Sequence, residues 1–380
     1  MLTLIKDAEV YSPSYEGKKD VLIGGGKILY IQENIKLDTN LQVDIVDGEG
    51  YLLVPGFIDS HVHIVGGGGE GGYNTRTPEI TLSQIVKGGI TTLVGVLGTD
   101  NATRSMENLI AKAKSLNVEG ISCYAYTGSY HLPLKTFTKR IIDDIVFIEE
   151  IIGVGEIAIS DHRGSQPTIE ELTRLTSDAR VGGILSKKAG IVNVHVGRGK
   201  NFVDPLIEVV KNSDLPITQF LPTHMNKGKE SIQVCKEFID LGGRVDFTTS
   251  SSEKRSKDDF SKPSKALKTL LDEGVNIDNI SFSSDGQGSL PKFDEKGNFL
   301  KLDVADVCTL FEEVRDCVIQ ENIPLEEALK VITSNPANFL KLENKGQIKE
   351  GFDADLVLLQ KDTLNIEKVM AKGKLLITIF

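Results

Sequence analysis

The feature that most limits this chain is a rhythm in its middle. Between about residues 55 and 340, short apolar runs suited to strands alternate with stretches long enough for helices. The runs are 57–63, 91–97, 121–127, 156–161, 191–196, 219–224, 244–250 and 280–285. Helix-like segments such as 106–116, 232–241 and 265–273 lie between them, and another, 304–321, follows the last run. Eight strands with a crossover after each is the count of a (β/α)8 TIM barrel, so the fold class expected is α/β. A doubly wound sheet usually has fewer strands and a phosphate-binding glycine turn after the first, and neither is seen. No solenoid repeat or low-complexity tract interrupts the pattern.

The two ends have a different texture. Residues 20–24, 27–32 and 42–47 are β-rich runs separated by glycine turns, and 354–359 and 374–380 read the same way. We expect the segments 1–54 and 345–380 to form one small β-sandwich domain beside a barrel of residues 55–344. A length of 380 residues suits that division.

Composition excludes several classes. A net charge of −11 argues against a nucleic-acid surface, which needs a clustered basic face. The 4 cysteines show no CxxC spacing, which fits reduced thiols and not a disulfide frame or a zinc knuckle. Lys6, Asp7 and Glu9 break up the first apolar residues, so no signal peptide is expected. No stretch approaches the roughly 18 apolar residues of a membrane span. The expectation is a cytoplasmic protein with neither a membrane nor a nucleic acid as partner.

The chain has only 6 histidines. His61 and His63 end the first barrel run, and residues i and i+2 of a strand point to one face, so both imidazoles can reach one metal. His195 lies near the end of the fifth run, His224 ends the sixth and Asp285 ends the eighth. Strand C-termini are where such barrels carry their active sites. A single histidine there is more often a hydrogen-bonded rim residue than a ligand. Several candidate ligands gathered at one end of a barrel point instead to a metal site, with zinc a suitable ion for imidazole and carboxylate donors. His131 and His162 are assigned no metal role.

The stretch from Pro55 through Asp59 to His63 resembles the first metal motif of the amidohydrolase superfamily, and the stretch from Gly346 through Asp355 to Val357 resembles its C-terminal signature. Within it, the segments 66–71, 97–100, 127–131, 160–163 and 283–289 resemble the isoaspartyl (β-aspartyl) dipeptidase family. The resemblance implies two divalent metal ions bridged by hydroxide. It gives His61, His63 and Asp285 to the first ion and His195 and His224 to the second. It also implies that Asp285 shuttles the proton from the nucleophile to the leaving amine, and that Tyr130 polarises the scissile carbonyl. Glu70, in the loop with Gly68 and Gly69, is suited to a substrate amine; Arg163 and Lys227 are suited to carboxylates, and Thr99 and Ser289 can supply hydroxyls. The substrate expected is a small isoaspartyl dipeptide, and the family suggests a homo-oligomer such as an octamer.

Two residues depart from the pattern. The family's bridging ligand is a carboxylated lysine near the end of the fourth strand, and this chain has Glu156 there, with the same charge on a shorter arm. Lys227 stands where arginine is usual, which keeps the charge and loses the planar fork. Two other readings stay open: a cyclic-amide hydrolase of the dihydroorotase or hydantoinase kind, and a non-enzymatic relative that keeps only the fold.

Overall fold

The computed structural model describes residues 2–251, 262–294 and 299–378. The N-terminal segment forms β1 (Leu2–Tyr11), β2 (Tyr15–Gly24), β3 (Lys27–Gln32), β4 (Val43–Asp47) and β5 (Tyr51–Pro55). Eight strands follow: β6 (Phe57–Val62), β7 (Ile90–Gly95), β8 (Ser122–Thr127), β9 (Ile151–Ile159), β10 (Ile191–Val196), β11 (Phe220–Thr223), β12 (Val245–Thr248) and β13 (Ile280–Ser283). Then come the hairpin β14 (Ser289–Phe293) and β15 (Phe299–Val304), and near the C-terminus β16 (Leu356–Gln360), β17 (Ile366–Ala371) and β18 (Lys374–Thr378).

The middle is a TIM-like α/β barrel. Strands β6 to β11 pair in parallel, in sequence order, as a curled six-stranded sheet, and β12 pairs with β13. Backbone and side-chain bonds close the two remaining seams. Met225 N–H reaches Asp246 O (3.1 Å) and Thr248 N–H reaches Asn226 Oδ1 (2.8 Å) at one seam. At the other, Asp285 N–H donates to His61 O (3.1 Å) and His63 N–H to Gly286 O (2.9 Å). The strands are buried on both faces, as parallel barrel strands covered by helices must be. The helices that cover them carry ordinary sequence signals. Thr168 and Glu171 make a capping box before Ile169–Ser186, and Gly120, left-handed at φ 116°, ends Met106–Glu119.

Some expected bounds shift. The fourth barrel strand begins at Ile151, well before the expected 156. The expected helix at 304–321 is shorter: Thr309–Ile319 is helical, and Phe299–Val304 is a strand. The strand overlaps the expected helix only at Val304, and its residues 300–304 alternate apolar and polar with a period of two. Strand β17 was likewise absent from the expectation.

The strands of the two ends share one sheet in the order β18-β17-β16-β5-β1-β2-β3, with β4 joined to β1. That pairing establishes a common sheet and not two facing layers. Residues β5 and β6 are consecutive except for Gly56, whose N–H donates to Asp355 O (2.7 Å), and a Cβ at Gly56 would lie 2.2 Å from Thr91 Oγ1. The buried Lys345 ammonium ties the C-terminal return together through Asp353 (2.8 Å) and Asp355 (2.6 Å). The first metal-motif strand is therefore an unbroken continuation of the terminal sheet.

Candidate active site

Glu156 owes its position to a bulge. Val154 pairs with Val192 and Ile157 with Val194, so Gly155 and Glu156 together oppose Asn193 alone. The carboxylate is fully buried and reaches four histidines. Its Oε2 lies 3.4 Å from His61 Nε2, 3.2 Å from His195 Nδ1 and 3.7 Å from His224 Nε2, and its Oε1 lies 3.5 Å from His63 Nε2. Asp285 stands beside it, with Oδ1 3.1 Å from His63 Nε2 and 3.7 Å from His61 Nε2. The six sequence-predicted ligands thus converge. Two groups could each hold an ion: His61, His63 and Asp285, and His61, Glu156 and His224. His195 is in neither group, although its Nδ1 faces Glu156.

The donor set demands cations. Asn193 turns its amide nitrogen to Leu221 O and its Oδ1 to His61 Nδ1 (3.0 Å), so Nδ1 carries the ring proton. His61 Nε2, which a neutral ring leaves as an acceptor, then faces two carboxylates. His61 Nε2, Glu156 Oε1 and Asp285 Oδ1 are buried without a hydrogen-bond partner. Such an arrangement needs positive charge between its members, from protons or from metal. With protons alone, burial disfavours the His61 charge, but Glu156 and then Asp285 outweigh it and push the imidazole up to about 10. Burial opposes ionisation of Glu156 too, and His61 overcomes it, holding the carboxyl well below its usual range. The residues present therefore fit a pair of divalent ions.

Three supporting residues went unassigned in the sequence. Asn193 orients His61, Thr248 meets His224 Nδ1 (2.6 Å), and Asp161 binds His195 Nε2 (3.0 Å) while holding Arg163 through Nε (3.0 Å) and Nη2 (2.8 Å). Asn193 was findable: it is two residues from His195 on one strand, and so on the same face. Burial works against the Asp161 charge, but His195 and Arg163 hold its carboxyl far below the usual range.

The cluster opens into a cavity of about 690 Å³ lined by Glu70, Thr99, Tyr130, Arg163, Lys227 and Ser289 among others. Tyr130 Oη lies 2.8 Å from His195 Nδ1, and burial, with Glu156, pushes its phenol well above the usual value, so it keeps its proton. Glu70 Oε1 accepts from Thr99 Oγ1 (3.0 Å) and lies 3.4 Å from Arg163 Nη1. Lys227 Nζ donates to Val196 O, and burial, followed by repulsion from Arg198, pushes it down to about 7. Gly68 lines the cavity, and Gly69 is not among the residues that do. At Gly68, φ is 77° and an added Cβ would lie 2.5 Å from Ser289 Cβ, so the glycine serves the packing of loop on loop. Arg104 pins that loop through Gly67 O (2.8 Å) and Val65 O (3.1 Å). Neither His131 nor His162 reaches the cluster's carboxylates, and His162 is largely exposed beside Asp161.

The comparisons with known proteins agree with this geometry. The pattern of the Amidohydrolase family matches residues 223–376. A β-aspartyl dipeptidase from Fervidobacterium islandicum AW-1, solved with β-Asp-Leu, is 46% identical over 100% of this chain and 96% of its own, with a TM-score of 0.93. The chain belongs to the β-aspartyl dipeptidase family of amidohydrolases. This family member is also 23% identical to a dihydroorotase from Clostridium acetobutylicum, over 98% of this chain and 93% of that one. A D-hydantoinase structure, 17% identical with a TM-score of 0.69 over 100% of this chain and 95% of that one, shares the fold. Among the described residues, no helix of this hydrolase is long and apolar enough to cross a membrane.

Proposed function

We propose that this chain hydrolyses β-aspartyl dipeptides. The observation that carries the reading is the pairing of Glu70 and Arg163, opposite charges 3.4 Å apart in the cavity that opens above the histidine–carboxylate cluster. A β-aspartyl dipeptide presents an ammonium and two carboxylates around one amide, and these two side chains complement the charges. A cyclic amide has no free amine for Glu70.

His61, His63 and Asp285 would hold one ion, and His195 and His224 the other, with Glu156 between them in place of a carboxylated lysine. Bound there, a pair of divalent ions, zinc being the natural choice, supplies an ionisable water near neutral pH and polarises the carbonyl. The rest is the work of side chains. Glu70 receives the α-amine. Arg163, Lys227, Thr99 and Ser289 receive carboxylates; Ser289 Oγ is buried without a partner, and so is available as a donor. Tyr130, protonated at all working pH values, donates to the carbonyl oxygen as negative charge develops there. Asp285 accepts the proton of the attacking water on the carboxylate oxygen that is turned away from the histidines and passes it to the departing amine.

The test is hydrolysis of β-Asp-Leu against α-Asp-Leu by zinc-loaded protein, with a chelated control. Metal-dependent cleavage of the β isomer alone is the expected result. Cleavage of neither, by protein holding two metals, would turn attention to dihydroorotate and hydantoins.

A further inference from the structure

Beside the active-site cavity lies a second one, of about 710 Å³, lined by Asp161, His162, Arg163, Arg198, Lys200 and Lys227 among others. Arg163, Arg198 and Lys227 line both cavities and so form their common wall. The charges on that wall are unequal. Arg163 is paired with Asp161 and Glu70. Among the described residues Asp161 is the one carboxylate lining the second cavity, and it is already engaged by Arg163 and His195. Lys227 donates to a backbone carbonyl, Val196 O, and meets no carboxylate among the described residues. Arg198, an exposed residue just past β10, has no hydrogen bond or ion pair to any described residue. Arg198 is therefore a cation with no counter-charge among the described residues, and it stands beside Lys227 where one cavity passes into the other.

Resting on the dipeptidase reading, we infer that this second cavity is a subsite for an anionic side chain on the residue leaving as the amine, with Arg198 as its specificity-determining cation. The dipeptide's own carboxylates can be met by Arg163, Lys227 and the hydroxyls of Thr99 and Ser289. Arg198 then remains for one further carboxylate, and Glu as the leaving residue supplies it at the end of a flexible arm. A guanidinium offers that carboxylate two parallel N–H donors.

The experiment compares kcat/KM of the zinc-loaded enzyme for β-Asp-Glu and β-Asp-Gln, which match in shape and differ in charge, with β-Asp-Leu as reference. A preference for β-Asp-Glu of about tenfold is expected from one charge-assisted hydrogen bond. Arg198→Ala should abolish the ratio and Arg198→Glu should reverse it, the change falling mainly on KM. Equal rates on β-Asp-Glu and β-Asp-Gln, or a ratio that survives Arg198→Ala, would overturn the subsite while cleavage of β-Asp-Leu kept the dipeptidase reading. Failure to cleave all three would overturn that reading, and the subsite with it.

Discussion

Asp246 and Glu156 are both fully buried carboxylates of this barrel, and their surroundings are opposite. Asp246 is ringed by hydroxyls: Ser281 Oγ at 2.6 Å, Thr223 Oγ1 at 2.7 Å, Ser60 Oγ at 3.4 Å and a close contact from Ser283. Glu156 is ringed by imidazoles, and its Oε1 has no donor. The first is complete as it stands, though burial still pushes its carboxyl up. The second is complete only with cations. A buried carboxylate saturated by neutral donors belongs to the scaffold, and one surrounded by imidazoles belongs to the chemistry.

Exchanging side chains at these positions should break the comparison if it is wrong. Asp285→Asn should cost about 10²–10⁴ in kcat on β-Asp-Leu, and much less in bound metal by elemental analysis, because the amide keeps an oxygen donor but cannot take the proton. Glu156→Ala should keep the fold by circular dichroism and lose the paired metals; two full equivalents retained would remove Glu156 from the bridging position. Tyr130→Phe should slow turnover by about 10²–10³, the loss of one donor to the developing charge, with metal content unchanged. Asp246→Asn should do the reverse of Glu156→Ala. It should retain metal and lose about 1–3 kcal/mol of unfolding free energy in denaturant titrations, since four hydroxyls arranged for an anion would meet an amide.

Another buried carboxylate sharpens the scale. Glu313, 3% exposed, accepts from Ser264 N–H (3.2 Å), and burial pushes it up to about 7. A carboxyl whose folded value is raised contributes stability that is complete below its unfolded value, near 4.5, and is lost as pH rises through about 7. Glu313→Gln should therefore match the parent near pH 4 and become the more stable protein above pH 7, by on the order of 1–3 kcal/mol. A stability difference that does not change with pH would place the Glu313 proton elsewhere.

The barrel and most of its candidate ligands were legible because their signals are local. Continuous apolar runs announce parallel strands, and His61 and His63 sit two apart on one of them. What escaped the sequence was set by contacts between distant segments. Asp161 matters because it faces both His195 and Arg163, and Thr248 because it faces His224, and nothing beside either residue in the chain says so. The bulge that aims Glu156 exists only relative to β10. Lys227 was read as a carboxylate binder, and the structure adds that it is half-buried and shares its wall with Arg198.

The junction at Pro55–Phe57 has a consequence for the order in which the protein can be assembled. Strand β5 lies between β1 and β16, and β16 comes from the far end of the chain. During synthesis the segment bearing His61 and His63 emerges early, yet the sheet that anchors its root stays open on one edge until Leu356–Gln360 has left the ribosome. The strand bearing His61 is thus clasped at its root by residues made long after it. A polypeptide cut short before them would carry every proposed metal ligand and still lack the strand that fastens the first two.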